Sequence, residues 1–518
     1  MKIERTKNAT RNIIFGGILK IYQIIVPFLM RTAMIYWMGM EYLGLNSLFT
    51  SILQVLNLVE LGIGSAMVFS MYKPIAEDDE KTISALLRLY QIYYRVIGCI
   101  IAVVGLIILP FIPSLISGEV PGGLNVYILY LLNLGATVLS YWLFAYKNSL
   151  LNAHQRNDVI SKVQLFTNTF QYGLQLLVLF ILQNYYWYLI VALFTQAMTN
   201  ILTAVVATKM YPNYRAKGRL EKTVISQINK RIRDLFTSKV GAVILNSVDT
   251  IVISAFLGLT MLAVYQNYYY ILSSLIALVT IVFNSCTAGI GNSLIKETKE
   301  KNVEDLKKFT LIIVWISGFC TVCLLCLYQP IMKLWVGERY ELSFIAVIYF
   351  CIYYFIYEIN QLLNLFKDAG GIWNKDRFRP LVTALANLIM NLIMVQFWGI
   401  YGIILSTVLA TLLIGMPWLL HNIFSELFDK SDMWPYLRKL FRYVIVTILA
   451  CILTYIPSSL LQFSDFTTLV TRGILCCIIP NVIFYLAYHK QIEFRQSLQL
   501  FDKMTKGKLA LEKRLLRY

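Results

Sequence analysis

The chain has 518 residues, 58% of them hydrophobic and only 14% charged, yet its formal net charge is +18. A typical soluble domain is about a quarter charged, so a soluble nucleic-acid binder with a charge-rich surface and a disordered chain poor in apolar residues are both excluded. A polytopic membrane protein accommodates both facts, with apolar spans and cations gathered in the loops on one side.

Lys2, Arg5, Lys7 and Arg11 lead into an apolar stretch that runs to Trp37. It is too long for the core of a signal peptide and reads as the first transmembrane helix. Further runs of spanning length follow at 43–69, 86–112, 124–147, 159–183, 186–208, 237–258, 262–294, 308–328, 343–366, 379–398, 401–421, 439–460 and 470–488. The expected fold is therefore an all-α polytopic membrane protein of about 14 transmembrane helices. With the N-terminus in the cytoplasm, the alternate loops 70–88, 147–162, 209–239, 296–308, 367–379 and 430–442 and the tail also face inward. Together with the N-terminus they hold about 40 of the 46 Lys and Arg residues, which predicts an even number of spans and both termini inside.

The basic segment 209–236 divides the chain. It predicts an N-terminal six-helix lobe (1–208), a cytoplasmic linker (209–236), a C-terminal six-helix lobe (237–425), helices 13 and 14 (426–490) and a basic tail (491–518). At an offset of 219 residues, GMEYLGL from Gly39 lies over GLTMLAV from Gly258. At the same offset QRNDVISKVQLFTN, ending at Asn168, lies over NKDRFRPLVTALAN, ending at Asn387. The shared offset predicts two bundles in a pseudo-twofold arrangement, with the last two helices outside the repeat.

Polar groups inside spans are costly, about 2.5–3.5 kcal/mol for an ionised side chain at the bilayer centre. The first span carries Lys20, Gln23, Pro27 and Arg31 on one helical stripe. Either this stripe faces a polar path, or Lys20 and Arg31 snorkel to opposite interfaces. Arg88, Gln91 and Arg95 share a face of span 3. The acidic residues are Glu60, Asp249 and Glu358; Asn246 shares a face with Asp249, and Gln361 with Glu358. They line a water-filled cavity as counter-ions or ion-coupling sites, or they form buried pairs that fix packing. Asn57 belongs to the same set of intramembrane amides, most of which would bond between helices. The abundant tyrosines fit interfacial belts. Cys320, Cys323 and Cys326 have no accompanying ligand and read as small apolar residues rather than a metal site. No GxxxxGK[ST] loop occurs, and no external loop is long enough to carry catalytic groups. These absences argue against an enzyme.

The stretch VELGIGSAMVFSMYKPIAEDDEKTISALLRLYQIYYR (59–95) resembles the second and third spans of bacterial polysaccharide (Wzx-type) flippases of the multidrug/oligosaccharidyl-lipid/polysaccharide exporter superfamily. NSVDTIVISAFLGLTMLAVYQNYYYI (246–271), AGIGNS (288–293), LWVGERYE (334–341) and FKDAGGIWNKDRFRPLVTALANLIMN (366–391) follow as later landmarks. AGIGNS departs from that pattern, beginning with Ala and Gly where a more polar start is usual. The resemblance implies 14 helices and transfer of undecaprenyl-diphosphate-linked oligosaccharide from the inner to the outer leaflet of the cytoplasmic membrane. It implies a cationic cavity, here Lys20, Arg31 and Arg95, with Asp249 and Glu358 as acidic partners; Glu60, the third candidate acidic or ion-coupling residue, lies beside the Gly62 and Gly64 packing motif, which favours a packing role for it. Gln23, Asn57, Asn246 and Gln361 would be the cavity's polar lining. No metal or cofactor is implied beyond coupling to Na⁺ or H⁺; membrane lipids, a polysaccharide polymerase and glycosyltransferases would be partners. The alternatives are a lipid II-type flippase, a multidrug cation exporter of the same superfamily, or, from another class, a membrane glycosyltransferase or polymerase.

Overall fold

The computed structural model describes residues 5–118, 120–461 and 464–504, and all regular structure among them is helical. The helices are α1 (Arg5–Trp37), α2 (Met40–Leu56), α3 (Ile63–Ala76), α4 (Glu80–Ile108), α5 (Val126–Trp142), α6 (Tyr146–Ala153), α7 (Asn157–Leu177), α8 (Tyr185–Met210), α9 (Lys222–Lys296), α10 (Lys299–Val336), α11 (Phe344–Ala369), α12 (Trp373–Asp376), α13 (Arg379–Ala410), α14 (Met416–Glu426), α15 (Met433–Leu460), α16 (Asp465–Tyr488) and α17 (Ile492–Met504). The protein is an all-α, multi-pass membrane protein.

Among the described residues eleven helices are long and apolar enough to cross a membrane, or twelve if α5 and α6, bent by 52°, count as one span. The sequence predicts about 14 separate runs. The difference has a local cause: two of the eleven, 45 and 54 residues long, continue through a single glycine of non-helical conformation instead of a loop. These are Gly258 (φ 84°) and Gly399 (φ 53°), in a region of backbone space that only glycine enters freely.

The 219-residue offset reappears in local geometry. Gly39 and Gly258 both take positive φ at a corner, as do Gly118 and Gly337. Asp79 caps α4 by accepting from the Thr82 amide, and Thr298 caps α10 by accepting from the Lys301 amide. All three pairs are 219 apart.

Contacts divide the chain into two compact units, Met1–Gln266 and Asn267–Tyr518. In the first, α1 packs on α7, α7 and α5 on α8, and α3 on α4 and α6. Leu48, Phe49, Met67, Leu87, Ile101 and Tyr130 are fully buried there. A Cβ at Gly44 would come 2.1 Å from the Leu259 carbonyl oxygen, so this backbone approach requires glycine. In the second unit α10 is the central helix, contacting α11, α15, α16 and α17. Leu306, Val314, Leu362, Leu419 and Phe484 form part of its core. Amides close the break at Gly399: Asn387 donates to the Thr407 hydroxyl at 3.0 Å, and Asn391 to Asn387 at 3.3 Å.

Candidate functional site: a polar cavity around Glu60

The helix α2 does not continue into α3. A 3₁₀ turn, Asn57–Glu60, intervenes, and Gly62 then turns the chain in the left-handed region (φ 88°, ψ −21°). This is where the sequence places two polar residues and two glycines within an apolar run. Tight turns of this kind mark a functional break or strain more often than a regular span. A side chain at Gly62 would also meet Leu235 Cβ at 2.7 Å.

The break presents Glu60 to two tyrosines, with a third behind them. Tyr94 donates its hydroxyl to Glu60 Oε1 in a short hydrogen bond, and Tyr141 donates to Oε2 at 2.8 Å. Tyr90 donates in turn to the Tyr94 hydroxyl at 2.6 Å, and the Tyr141 oxygen lies 3.1 Å from the Asn57 side-chain oxygen. Tyr90 and Tyr94 stand one turn apart on α4 with rings 4.3 Å apart and nearly perpendicular. All three tyrosines are buried; the carboxylate accepts from Tyr94 and Tyr141, and Tyr90 is satisfied through Tyr94.

These groups form one wall of a cavity of about 750 Å³. The bend between α5 and α6, where Phe144 takes φ 57°, supplies further lining. That bend turns Asn148, Ser149 and Asn152 into the cavity, beside Gln196 and Asn200 of α8 and the aromatic rings of Phe69 and Tyr72. Asn200 is held by donating to the Ser140 carbonyl at 2.6 Å. The cavity thus pairs a carboxylate with amides, hydroxyls and aromatic faces. Such a lining can hydrogen-bond a polyhydroxylated head group and stack on its rings.

Of the sequence-predicted residues, Asn57 and Glu60 come together here. Arg31 is half-buried and donates to the Gln266 carbonyl at 3.4 Å, whereas Lys20 and Gln23 are exposed on α1. Arg95 is exposed too, and its carbonyl accepts from the Trp142 indole at 3.2 Å. Asp249 is buried and accepts from the Tyr265 hydroxyl at 3.5 Å. The Asn246 side chain lies outside the described residues. Glu358 is 1% exposed, and neither carboxylate oxygen has a hydrogen-bond partner; the nearby Tyr354 hydroxyl on the same helix also lacks one. Gln361 donates to the Tyr357 hydroxyl at 2.6 Å.

Two other buried carboxylates are self-contained. Asp158 is chelated by Arg156 (Nε 2.8 Å, Nη2 3.2 Å), and Asp376 by Arg379 (2.7 and 2.8 Å) with Asn422 donating at 3.0 Å. Their charges are matched by bidentate donors, so they hold helix ends rather than offer a site. Tyr90, Tyr94, Tyr141, Asn148, Asn152 and Asn200 were missed from sequence. The one local signal was the four-residue spacing of Tyr90 and Tyr94, which puts both on the face of Glu60's neighbour helix.

No protein-family model matches the chain, and no curated protein matches it by sequence. Solved structures do. The lipid II flippase MurJ in an inward closed conformation aligns with a TM-score of 0.65 and 16% identity, over 93% of this chain and 100% of that one. The fold is that of the MOP-superfamily transporters. An inward-facing multidrug resistance MATE family transporter of that superfamily aligns at 0.59 with 13% identity, over 81% of this chain and 99% of its own. A point mutant of the Vibrio cholerae MATE transporter VcmN aligns at 0.52 with 14% identity, over 80% and 96%. These structural neighbours are flippases and transporters.

Proposed function

We propose that the chain is a flippase for undecaprenyl-diphosphate-linked oligosaccharide repeat units. It would move them by alternating access from the inner to the outer leaflet of the bacterial cytoplasmic membrane, for capsule or exopolysaccharide synthesis. On this reading it is a transporter and not an enzyme, both termini are cytoplasmic, and a polymerase and glycosyltransferases act before and after it. The observation that carries the reading is the Glu60 cavity, whose amides, hydroxyls and rings suit sugars better than a lipophilic cation. Its lining at 148–157 belongs to a loop that the cation distribution assigns to the cytoplasmic side, where a lipid-linked sugar is assembled.

A diphosphate cannot cross hydrocarbon without replacement of its water. Arg31, Arg95 and Lys20 are the cations proposed to meet it, arginine by bidentate donation and lysine as a point charge. Glu358 is the proposed coupling residue, since a carboxylate buried without a donor needs a proton or Na⁺ to complete it. Asp249 is the second proposed acidic site.

A lipid II-type substrate is the second reading, favoured by the likeness to MurJ across 93% of the chain. In a strain lacking the protein, labelled lipid-linked repeat units should accumulate with head groups accessible from the cytoplasmic leaflet. Normal arrival at the outer face would reject the proposal, and accumulation of lipid II alone would favour the second reading.

A further inference from the structure

Six cations lie outside the basic loops and tail: Lys20, Arg31, Arg95, Lys333, Arg339 and Arg472. Arg472 stands in the second turn of α16, seven residues from its start. At 1.5 Å per residue this is about 10 Å along the helix. It donates from Nη1 to the Cys326 carbonyl at 3.4 Å, a long bond, while its Nε is buried with no partner. Among the described residues no carboxylate lies within ion-pair distance of it. Facing it is a cavity of about 400 Å³ in the second unit, lined by Gln329, Lys333, Glu341, Asp465 and Thr468.

The groups in this cavity differ in how far they are already engaged. Gln329 accepts from the Tyr268 hydroxyl at 2.6 Å and donates to the Leu342 carbonyl at 2.5 Å. Lys333 pairs with Glu338 at 2.6 Å and Asp465 at 3.3 Å. The half-buried Glu341 carboxylate has no hydrogen-bond or ion-pair partner among the described residues. Burial and the nearby Glu338, opposed by Lys333, also raise its pKa from the ordinary value. The cavity therefore holds one unpaired guanidinium and one unpaired carboxylate that do not reach each other. It lies at the end of α10 and the start of α16, at the membrane face opposite the basic loops.

An anion alone would satisfy Arg472 and leave Glu341 facing added negative charge. A cation alone would do the reverse. We propose that this cavity binds the head group of a zwitterionic aminophospholipid, its phosphodiester on Arg472 and its primary ammonium on Glu341. The acyl chains stay in the adjoining outer leaflet. A primary ammonium donates hydrogen bonds to a carboxylate, whereas a choline head group cannot, so the cavity selects ethanolamine over choline.

The test uses the full-length protein, purified in detergent and depleted of lipid. It is titrated with dihexanoyl phosphatidylethanolamine, phosphatidylcholine and phosphatidylglycerol, and with soluble glycerophosphoethanolamine, and bound ligand is counted by native mass spectrometry. The expected result is one tightly held phosphatidylethanolamine per chain. Arg472→Gln should weaken it at least tenfold, and Glu341→Gln should abolish the preference over the other two lipids. Glycerophosphoethanolamine should bind at least tenfold more weakly than the lipid. If Arg472→Gln does not fold, Glu341→Gln in the loop before α11 carries the test by its effect on selectivity. Equal binding of all three lipids, unchanged by Glu341→Gln, overturns the proposal and leaves Arg472 as a snorkelling side chain. Equal binding of the lipid and glycerophosphoethanolamine overturns the lipid assignment.

Discussion

Glu60 and Glu358 are both carboxylates within apolar helical segments, one in each compact unit, but their surroundings differ. Glu60 sits at a broken helix beside a polar cavity, and phenol hydroxyls fill both its oxygens. Glu358 lies on an unbroken helix, buried, with both oxygens unmet. The same residue type thus serves as a hub for neighbours in one place and remains a demand on the fold in the other. Removing each should therefore have opposite effects.

The largest effect is expected at Glu60. Glu60→Leu leaves the buried Tyr94 hydroxyl without its acceptor, costing about 1–3 kcal/mol, and leaves Tyr141 only the Asn57 oxygen at 3.1 Å, a smaller further loss. Glu60→Gln, which keeps an acceptor, should lose less. Glu358→Leu removes an unpartnered buried carboxyl and should stabilise the folded protein by about 1–3 kcal/mol while abolishing transport. Thermal unfolding of the purified variants checks both. A destabilised Glu358→Leu would mean that a partner completes this carboxyl.

A smaller effect separates the cavity from the loop that borders it. His154 is buried, donates from Nδ1 to the Leu150 carbonyl at 2.9 Å, and leaves Nε2 without a partner. Burial lowers its pKa from the ordinary 6.5, against the opposing pull of the Leu150 carbonyl. The unfolded chain therefore takes up the proton first as pH falls. The stability conferred by neutral His154 is full above about pH 6.5 and is lost progressively below it. The wild-type melting temperature should fall across that window more steeply than that of His154→Gln.

The helical class and the corners at Gly39 and Gly258 were legible because apolar runs and glycines leave one-dimensional signals. Asn57 and Glu60 were legible because polarity inside a span is costly wherever it falls. The tyrosines around Glu60 were not. Tyr141 is 81 residues away, and tyrosine is so common in membrane helices that an interfacial belt explains it equally well. Arg472 has no local signal that sets it apart from the roughly 40 cations of the basic loops. The polar stripe of α1 shows the converse: helical spacing aligned Lys20, Gln23 and Arg31, but periodicity cannot tell which part of a stripe the protein covers. Here only Arg31 is half-buried.

The most direct test of the central claim is transport by the purified protein in proteoliposomes. These would carry a fluorescent undecaprenyl-diphosphate-linked oligosaccharide, or lipid II in parallel, with a membrane-impermeant quencher reporting the exposed leaflet. The oligosaccharide lipid should become fully quenchable in wild-type vesicles, Glu358→Gln should slow this at least tenfold, and lipid II should move more slowly. Quenching confined to the initially exposed leaflet, equal to that of protein-free vesicles, would contradict the claim.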